Sequence, residues 1–253
     1  MSPSLSTRRP SAASKNLAEQ FEPIVSIHDA VRQRAHAKVD VASARERVRN
    51  GRPGFDAAAL VHDAGDVTRS FHRTAAAFER IGIASTTQLV ALRAETLDTT
   101  ALMLSWANGD SMPRNPALRL ARNVAAVVGN AVLSRAADDV GSGFSFAVWK
   151  RSLCPCCGAS PDLALSTDKR RTLVCWRCDT MWRTTQLGCL SCGASSSPTL
   201  VRIASPYGYE LAICNSCGRY LKERRGAPTH ALLVERALTA GLDEAAELRG
   251  LRV

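Results

Sequence analysis

The sequence has 253 residues, enough for one large hydrophobic core or two modest domains. Lysine and arginine outnumber aspartate and glutamate by 33 to 23, and this net charge of +10 is spread along the chain. The charge permits an anionic partner, but its even spread is weak evidence for a nucleic-acid groove. No run of eighteen apolar residues occurs, which excludes the usual pattern of a membrane-spanning helix.

The first segment, residues 1–23, is rich in serine, proline and charged residues. It contains an arginine pair, but no apolar stretch follows, as a secretory or twin-arginine signal requires. We therefore predict a disordered N-terminal tail over residues 1–23 and a cytoplasmic protein.

Residues 24–145 have apolar residues at spacings of three and four, which is typical of packed helices. One stripe from Ile27 to Ala42 predicts a helix that ends at Asn50–Gly54. A second stripe runs from Val67 to Phe78 and stops at Gly82. We predict a bundle of helices here, which binds a partner or braces the rest of the chain.

Two helix starts in this segment carry capping signals. Ser85 and Gln88 have the spacing of a capping box. Asn115 followed by Pro116 predicts an N-cap residue with proline in the first helical position.

The nine cysteines all lie between Cys154 and Cys217, and eight of them form Cys-x-x-Cys pairs. Such local pairs favour metal binding over a disulfide framework and indicate a reducing compartment. A residue suited to positive φ follows each pair, as a tight metal-binding turn requires. These residues are Gly158, Asp179, Gly193 and Gly218.

Four pairs can be combined into two sites in sequential, crossed or nested order. The sequence favours the sequential order, because the first and third pairs are offset by 35 residues and each is followed by a predicted β-hairpin. We predict a first module over residues 150–183 and a second over 184–226, followed by a C-terminal helix over 227–253. The predicted metal ligands are Cys154, Cys157, Cys175 and Cys178 in one site and Cys189, Cys192, Cys214 and Cys217 in the other. Cys156 remains as a spare thiol, with an alternative-ligand or redox role left open.

The predicted fold class is α+β, with an all-α bundle followed by two metal modules of the zinc-ribbon type. Four thiolates fill a tetrahedral shell for zinc or iron and leave no open position for a reacting water. The residues also offer no Ser/His/Asp set and no paired carboxylates. We therefore expect the protein not to be an enzyme and its metals to be structural or electron-transferring.

Four stretches resemble the family of formate dehydrogenase accessory proteins, FdhE: "CPCCGASP" (154–161), "CWRCDTMW" (175–182), "CLSCG" (189–193) and "CNSCGRYLK" (214–222). The resemblance implies a helical domain followed by two rubredoxin-like modules that hold two metal ions, with iron favoured over zinc. It further implies a cytoplasmic maturation factor that binds the catalytic subunit of formate dehydrogenase. Trp182, Tyr220 and Lys222 are the candidate contacts to that partner.

Two alternatives stay open at this point. The first is a zinc-ribbon protein that binds nucleic acid through basic side chains and stacking aromatic rings. Its candidate residues are Lys169, Arg170, Arg171, Arg219, Lys222, Arg224 and Arg225, with Trp176, Trp182, Tyr207, Tyr209 and Tyr220. The second is a rubredoxin-like electron carrier.

Overall fold

The computed structural model describes residues 12–35, 39–57, 59, 64–94, 97–110, 113–167, 170–195, 200–204 and 207–252. Within these residues, six α-helices precede the sheet and a seventh follows it. Their bounds are α1 Ala12–Arg34, α2 Val41–Arg49, α3 Ala64–Arg80, α4 Thr86–Ala94, α5 Thr99–Asn108, α6 Pro116–Gly141 and α7 Leu232–Glu247. No described helix is both long and apolar enough to cross a membrane. The α+β class predicted from the sequence is confirmed.

The predicted tail is wrong for residues 12–23, because helix α1 already begins at Ala12. Apolar residues continue on its inner face ahead of Ile24, and Phe21 packs against the bundle core. Burial of that side chain stabilises a segment whose serine and charge content had indicated disorder. Residues 1–11 lie outside the described residues.

The single helix predicted across the first stripe is also wrong. Helix α1 ends at Arg34 and α2 starts at Val41. Asp40 begins the new helix, because its Oδ1 accepts hydrogen bonds from the backbone N–H groups of Ala42 (3.0 Å) and Ser43 (3.1 Å). A side-chain cap of this kind marks a true helix start, which apolar spacing alone does not reveal.

The rest of the bundle follows the sequence closely. The stripe from Val67 to Phe78 forms the buried face of α3. Ser85 and Gln88 make the reciprocal bonds of a capping box. Asn115 caps α6 with Pro116 in its first turn, and α6 runs through the middle of the bundle with most of its residues buried.

Six strands form one continuous sheet in the order β3-β2-β1-β6-β5-β4. Their bounds are β1 Pro161–Thr167, β2 Arg170–Cys175, β3 Met181–Thr184, β4 Leu200–Ala204, β5 Tyr209–Cys214 and β6 Arg219–Arg225. Strands β1, β2 and β3 pair in antiparallel fashion, and so do strands β4, β5 and β6. The two groups join where β1 pairs in parallel with β6, from Leu163 beside Lys222 to Ser166 beside Arg225. The two repeats predicted from the cysteines are therefore halves of a single sheet.

One buried cluster joins the bundle to the first half of the sheet. It contains Ala136 and Val140 of α6, Leu173 of β2 and Trp182 of β3, together with all four cysteines of the first predicted site. Helix α7 covers the second half through a separate cluster with Leu211 and Ile213 of β5. The first cysteine site thus lies in a shared core, whereas the second half of the sheet packs mainly on α7.

Candidate metal centres

The first centre forms where two turns meet at one end of the sheet. Cys154 and Cys157 lie in the turn before β1, Cys175 ends β2, and Cys178 follows in the turn before β3. The Sγ atoms of Cys154 and Cys178 are 3.6 Å apart, and those of Cys157 and Cys175 are 3.4 Å apart. All four thiols are buried and lie within 4.8 Å of one another.

The second centre repeats this arrangement in the other half of the sheet. Cys189 and Cys192 lie in the turn after β3, Cys214 ends β5, and Cys217 lies in the turn before β6. The Sγ atoms of Cys189 and Cys217 are 3.6 Å apart, and those of Cys192 and Cys214 are 3.5 Å apart. The structure therefore brings the eight cysteines together in the sequential grouping.

The same turn presents each Cys-x-x-Cys pair. The residue after the second cysteine has positive φ in all four turns: Gly158 at 75°, Gly193 at 79°, Gly218 at 66° and Asp179 at 56°. Its N–H donates to the carbonyl of the first cysteine, for example from Gly158 to Cys154 at 3.0 Å and from Asp179 to Cys175 at 3.2 Å. Glycine adopts this conformation without steric cost, and aspartate tolerates it better than most residues.

The donor sets fit a tetrahedral metal ion. A tetrahedron with metal–sulfur bonds of about 2.3 Å has edges of about 3.8 Å, close to the sulfur–sulfur distances in both groups. Each group can hold one ion, which is consistent with two metals per chain. Zinc and iron both accept four thiolates, so the donor set is compatible with either metal.

The thiols of the first centre differ in how readily they ionise. Burial raises the pKa of Cys175 and of Cys178 well above the usual range. Burial also acts against ionisation of Cys154, but hydrogen bonds from its neighbouring thiols outweigh it and hold the pKa of Cys154 well below its usual range. A bound cation removes this conflict, because it stabilises all four thiolates at once.

The second centre is more open. Burial opposes ionisation of Cys189, yet the backbone N–H groups of Cys192 and Ser191 lower the pKa of Cys189 to about 7. Burial raises the pKa of Cys217 to about 12. Cys192 is exposed to solvent.

Cys156 stands outside both groups of four. It is fully buried, and its carbonyl accepts a hydrogen bond from the N–H of Phe55 at 2.9 Å. A hydrogen bond with Cys154, together with burial, raises the pKa of Cys156 far above the usual range. The residue packs the first turn against the segment after α2.

An ion-pair cluster behind the first centre was not predicted from the sequence. Arg236 of α7 contacts Asp162 of β1 at 2.8 Å and Asp179 at 2.7 Å. Asp179 also accepts hydrogen bonds from Asn130 (3.2 Å) and Ser134 (3.3 Å) of α6. The one signal in the sequence was the aspartate itself, which stands where the other three turns have glycine.

The three predicted partner contacts are buried, so they do not form the exposed surface patch that the prediction required. Trp182, Tyr220 and Lys222 are 2 %, 6 % and 2 % exposed. The Trp182 indole N–H donates to the carbonyl of Arg151, while Tyr220 Oη and Lys222 Nζ both contact Asp243 of α7, at 2.9 Å and 2.6 Å. Trp182 on β3 packs in the core shared with the bundle. Tyr220 and Lys222 lie on β6, which is inside the sheet and is covered by helix α7.

Burial also removes much of the surface that nucleic-acid binding requires. Arg171 pairs with buried Glu223, and Lys222 and Arg224 are buried as well. Among the aromatic candidates, Tyr209 is fully buried along with Trp182 and Tyr220. Lys169 lies outside the described residues.

These features define a class of protein: a helical bundle joined to a six-stranded sheet that carries two four-cysteine centres. A similar solved structure is the crystal structure of the FdhE protein from Pseudomonas aeruginosa. The TM-score is 0.61 at 17% sequence identity, and the match covers 94% of this chain and 91% of that chain. At this identity the likeness shows a shared fold, an FdhE-like fold. No protein-family model matches the sequence, and no curated protein matches it.

Proposed function

We propose that the protein is an accessory factor in the maturation of formate dehydrogenase and that it binds the catalytic subunit of that enzyme in the cytoplasm. The observation that carries this proposal is the fold shared with an FdhE protein over nearly the whole of both chains. The four cysteine stretches that resemble this family lie in the two metal centres of that fold. A fold alone does not define a function, and the sequence motifs supply the additional support for this role.

The chemistry of the centres is compatible with a scaffold. Four cysteines fill the coordination shell of a tetrahedral ion and leave no position for a substrate or a nucleophilic water. In the first centre the thiols are also buried beneath the helical bundle. We expect the metals to hold the sheet in the shape that the client protein recognises.

For the contact surface we propose edge strand β4. Val201 and Ile203 on this strand are each 38 % exposed, and among the described strands β4 pairs only with β5. An edge strand with apolar side chains can add an extended segment of a partner by backbone hydrogen bonding. The catalytic subunit would supply such a segment before its assembly is complete.

The test is a deletion strain in a host with no second copy of the gene. We expect the deletion to lower formate-dependent dye reduction while the catalytic subunit is still present on an immunoblot. Wild-type protein should restore the activity, whereas Ile203→Glu should restore little of it. Ile83→Glu is a matched control, since Ile83 has similar exposure (41 %) in the turn between α3 and α4 of the bundle.

Two results would separate the parts of this proposal. Normal dye reduction in the deletion strain would contradict the maturation role itself. Lost activity in the deletion, fully restored by Ile203→Glu, would leave the role standing and exclude strand β4 as the contact.

A further inference from the structure

The two four-cysteine centres share one geometry but differ in their access to solvent. Cys154, Cys157, Cys175 and Cys178 are between 0 % and 6 % exposed. In the second centre Cys192 is exposed and Cys217 is partly exposed. A reagent in solution therefore reaches Cys192 and Cys217 without any change in the fold.

The first centre can be reached only by opening the core. Its four cysteines belong to the cluster that joins the bundle to the sheet, together with Trp149, Leu173 and Trp182. Its second turn is further held by Asp179, which pairs with Arg236, and by Trp176, whose ring contacts Trp106 of α5 edge-on at 5.3 Å. Release of a metal from this centre requires local unfolding of these contacts.

The second centre borders a cavity of about 280 Å³. Cys189 and Cys214 form part of its wall, with Ser191, Leu153, Arg171 and Tyr220 around them. Since Cys192 is itself exposed, this centre has residues on the wall of the cavity and a residue at the surface.

We propose that the second centre is an exchange site, which gives its metal to, and takes it from, a small thiol or chelating acceptor, while the first centre keeps its metal as part of the core. Cys192 starts the exchange. Its bond to the metal would break as the acceptor thiolate forms one, and Cys192 would take up the proton that the acceptor thiol has lost. The same replacement at Cys189, Cys214 and Cys217 would complete the transfer of the ion. No electron is transferred. This inference rests on the geometry of the two centres and not on the proposed role in formate dehydrogenase maturation.

The experiment uses the full chain carrying two zinc ions, verified by elemental analysis, mixed with an excess of a chromogenic zinc chelator. We expect two phases of equal amplitude, with the first equivalent released at least about tenfold faster than the second. Release of both equivalents in one phase would overturn the proposal.

A matched pair of variants assigns the phases. Cys189→Ser and Cys154→Ser each replace the first cysteine of one centre. We expect Cys189→Ser to abolish the fast phase and Cys154→Ser to abolish the slow one. The reverse assignment would contradict the proposal.

Labelling of the wild-type protein decides the question even if a variant fails to fold. With chelator and iodoacetamide present, mass spectrometry should find Cys192 and its three partners alkylated at least about tenfold faster than the cysteines of the first centre. Equal labelling rates for Cys192 and Cys154 would overturn the proposal.

Discussion

The guanidinium group of Arg236 lies 2.7 Å from Oδ1 of Asp179, the residue that directly follows Cys178 in the second turn of the first metal centre. The same group bonds Asp162 on β1, and Asp179 accepts from Asn130 on α6. These three contacts together link the C-terminal helix, the sheet, the bundle and the first metal centre. The side chains of Asp162 and Asp179 are largely buried, at 9 % and 13 % exposed.

Replacement of Arg236 by methionine should destabilise the protein strongly. The change leaves Asp162 and Asp179 buried without their cation, which costs about 3 kcal/mol in the free energy of unfolding. The control is Arg135→Met, because the Arg135–Asp139 pair is more exposed, at 41 % and 33 %, and should cost under about 1 kcal/mol. Urea unfolding measures the loss in the free energy of unfolding for both variants. A similar small loss for the two variants would contradict a stabilising role for the Arg236 cluster.

Packing between α5 and α6 depends on the absence of a side chain at Gly129. A Cβ atom there would lie 2.6 Å from the ring of Trp106. We expect Gly129→Ala to lower the free energy of unfolding by about 2 kcal/mol, because the indole must move. Gly241→Ala is the control: nothing lies within 4 Å of its Cβ position on α7, and alanine should stabilise that helix by up to about 1 kcal/mol. Thermal unfolding that ranks the two variants in the opposite order would contradict this account.

The charged cluster at Glu223 predicts how stability depends on pH. Burial raises the pKa of Glu223, but the charge of Arg171 and hydrogen bonds from Ser166 and Arg202 outweigh it and lower the pKa below its usual value of 4.5. The folded pKa is thus below the unfolded one. The contribution of Glu223 to stability is present above about pH 4.5 and is lost as the pH falls through the folded pKa.

Glu223→Gln should therefore be less stable than the wild type at about pH 7, with a gap that narrows as the pH falls to about 3. Glu210→Gln is the control, since Glu210 forms an exposed pair with the same Arg202 at 3.6 Å. Both variants keep the eight ligand cysteines, so acid loss of metal affects them alike. The midpoints of urea unfolding across this pH range compare each variant with the wild type. A difference in stability between Glu223→Gln and the wild type that stays constant with pH would contradict the prediction.

The metal-binding turns could be predicted from the sequence because their geometry is local. Two cysteines three residues apart, followed by a residue that accepts positive φ, specify the turn without reference to the rest of the chain. The pairing of turns into two centres followed from the repeat of cysteine spacing and hairpin. These inferences needed no long-range contact.

The burial of Trp182, Tyr220 and Lys222 could not be predicted, because it depends on contacts between residues that are far apart in the sequence. The parallel pairing of β1 with β6 places Lys222 in the middle of a six-stranded sheet. Helix α7 then covers it and supplies Asp243 as its partner. Periodicity and motif analysis detect neither event, since nothing in the local sequence distinguishes a buried lysine from an exposed one.

The last prediction concerns the first metal centre as part of the shared core. Cys175→Ser should lower the metal content from two ions per chain to one, because three thiolates and a hydroxyl bind the ion less tightly. Without the ion, the buried thiols lose the charge that holds them together. Hydrogen exchange should then increase through β1 to β3 and around Ala136 to Val140 of α6, which belong to the same cluster. The separate cluster around Phe71 and Val124 should keep its protection.

Cys156→Ser is the matched control, since Cys156 is equally buried but stands outside the group of four thiols. This variant should keep two ions per chain and near-normal exchange in the strands. Two outcomes would contradict the prediction: two ions retained by Cys175→Ser, or the loss of an ion from Cys156→Ser. The second outcome would make Cys156 a ligand and would reopen the assignment of the first centre. Elemental analysis together with exchange of the same samples distinguishes metal loss from a general loss of stability, because only metal loss confines the change to one half of the sheet and the helices packed on it.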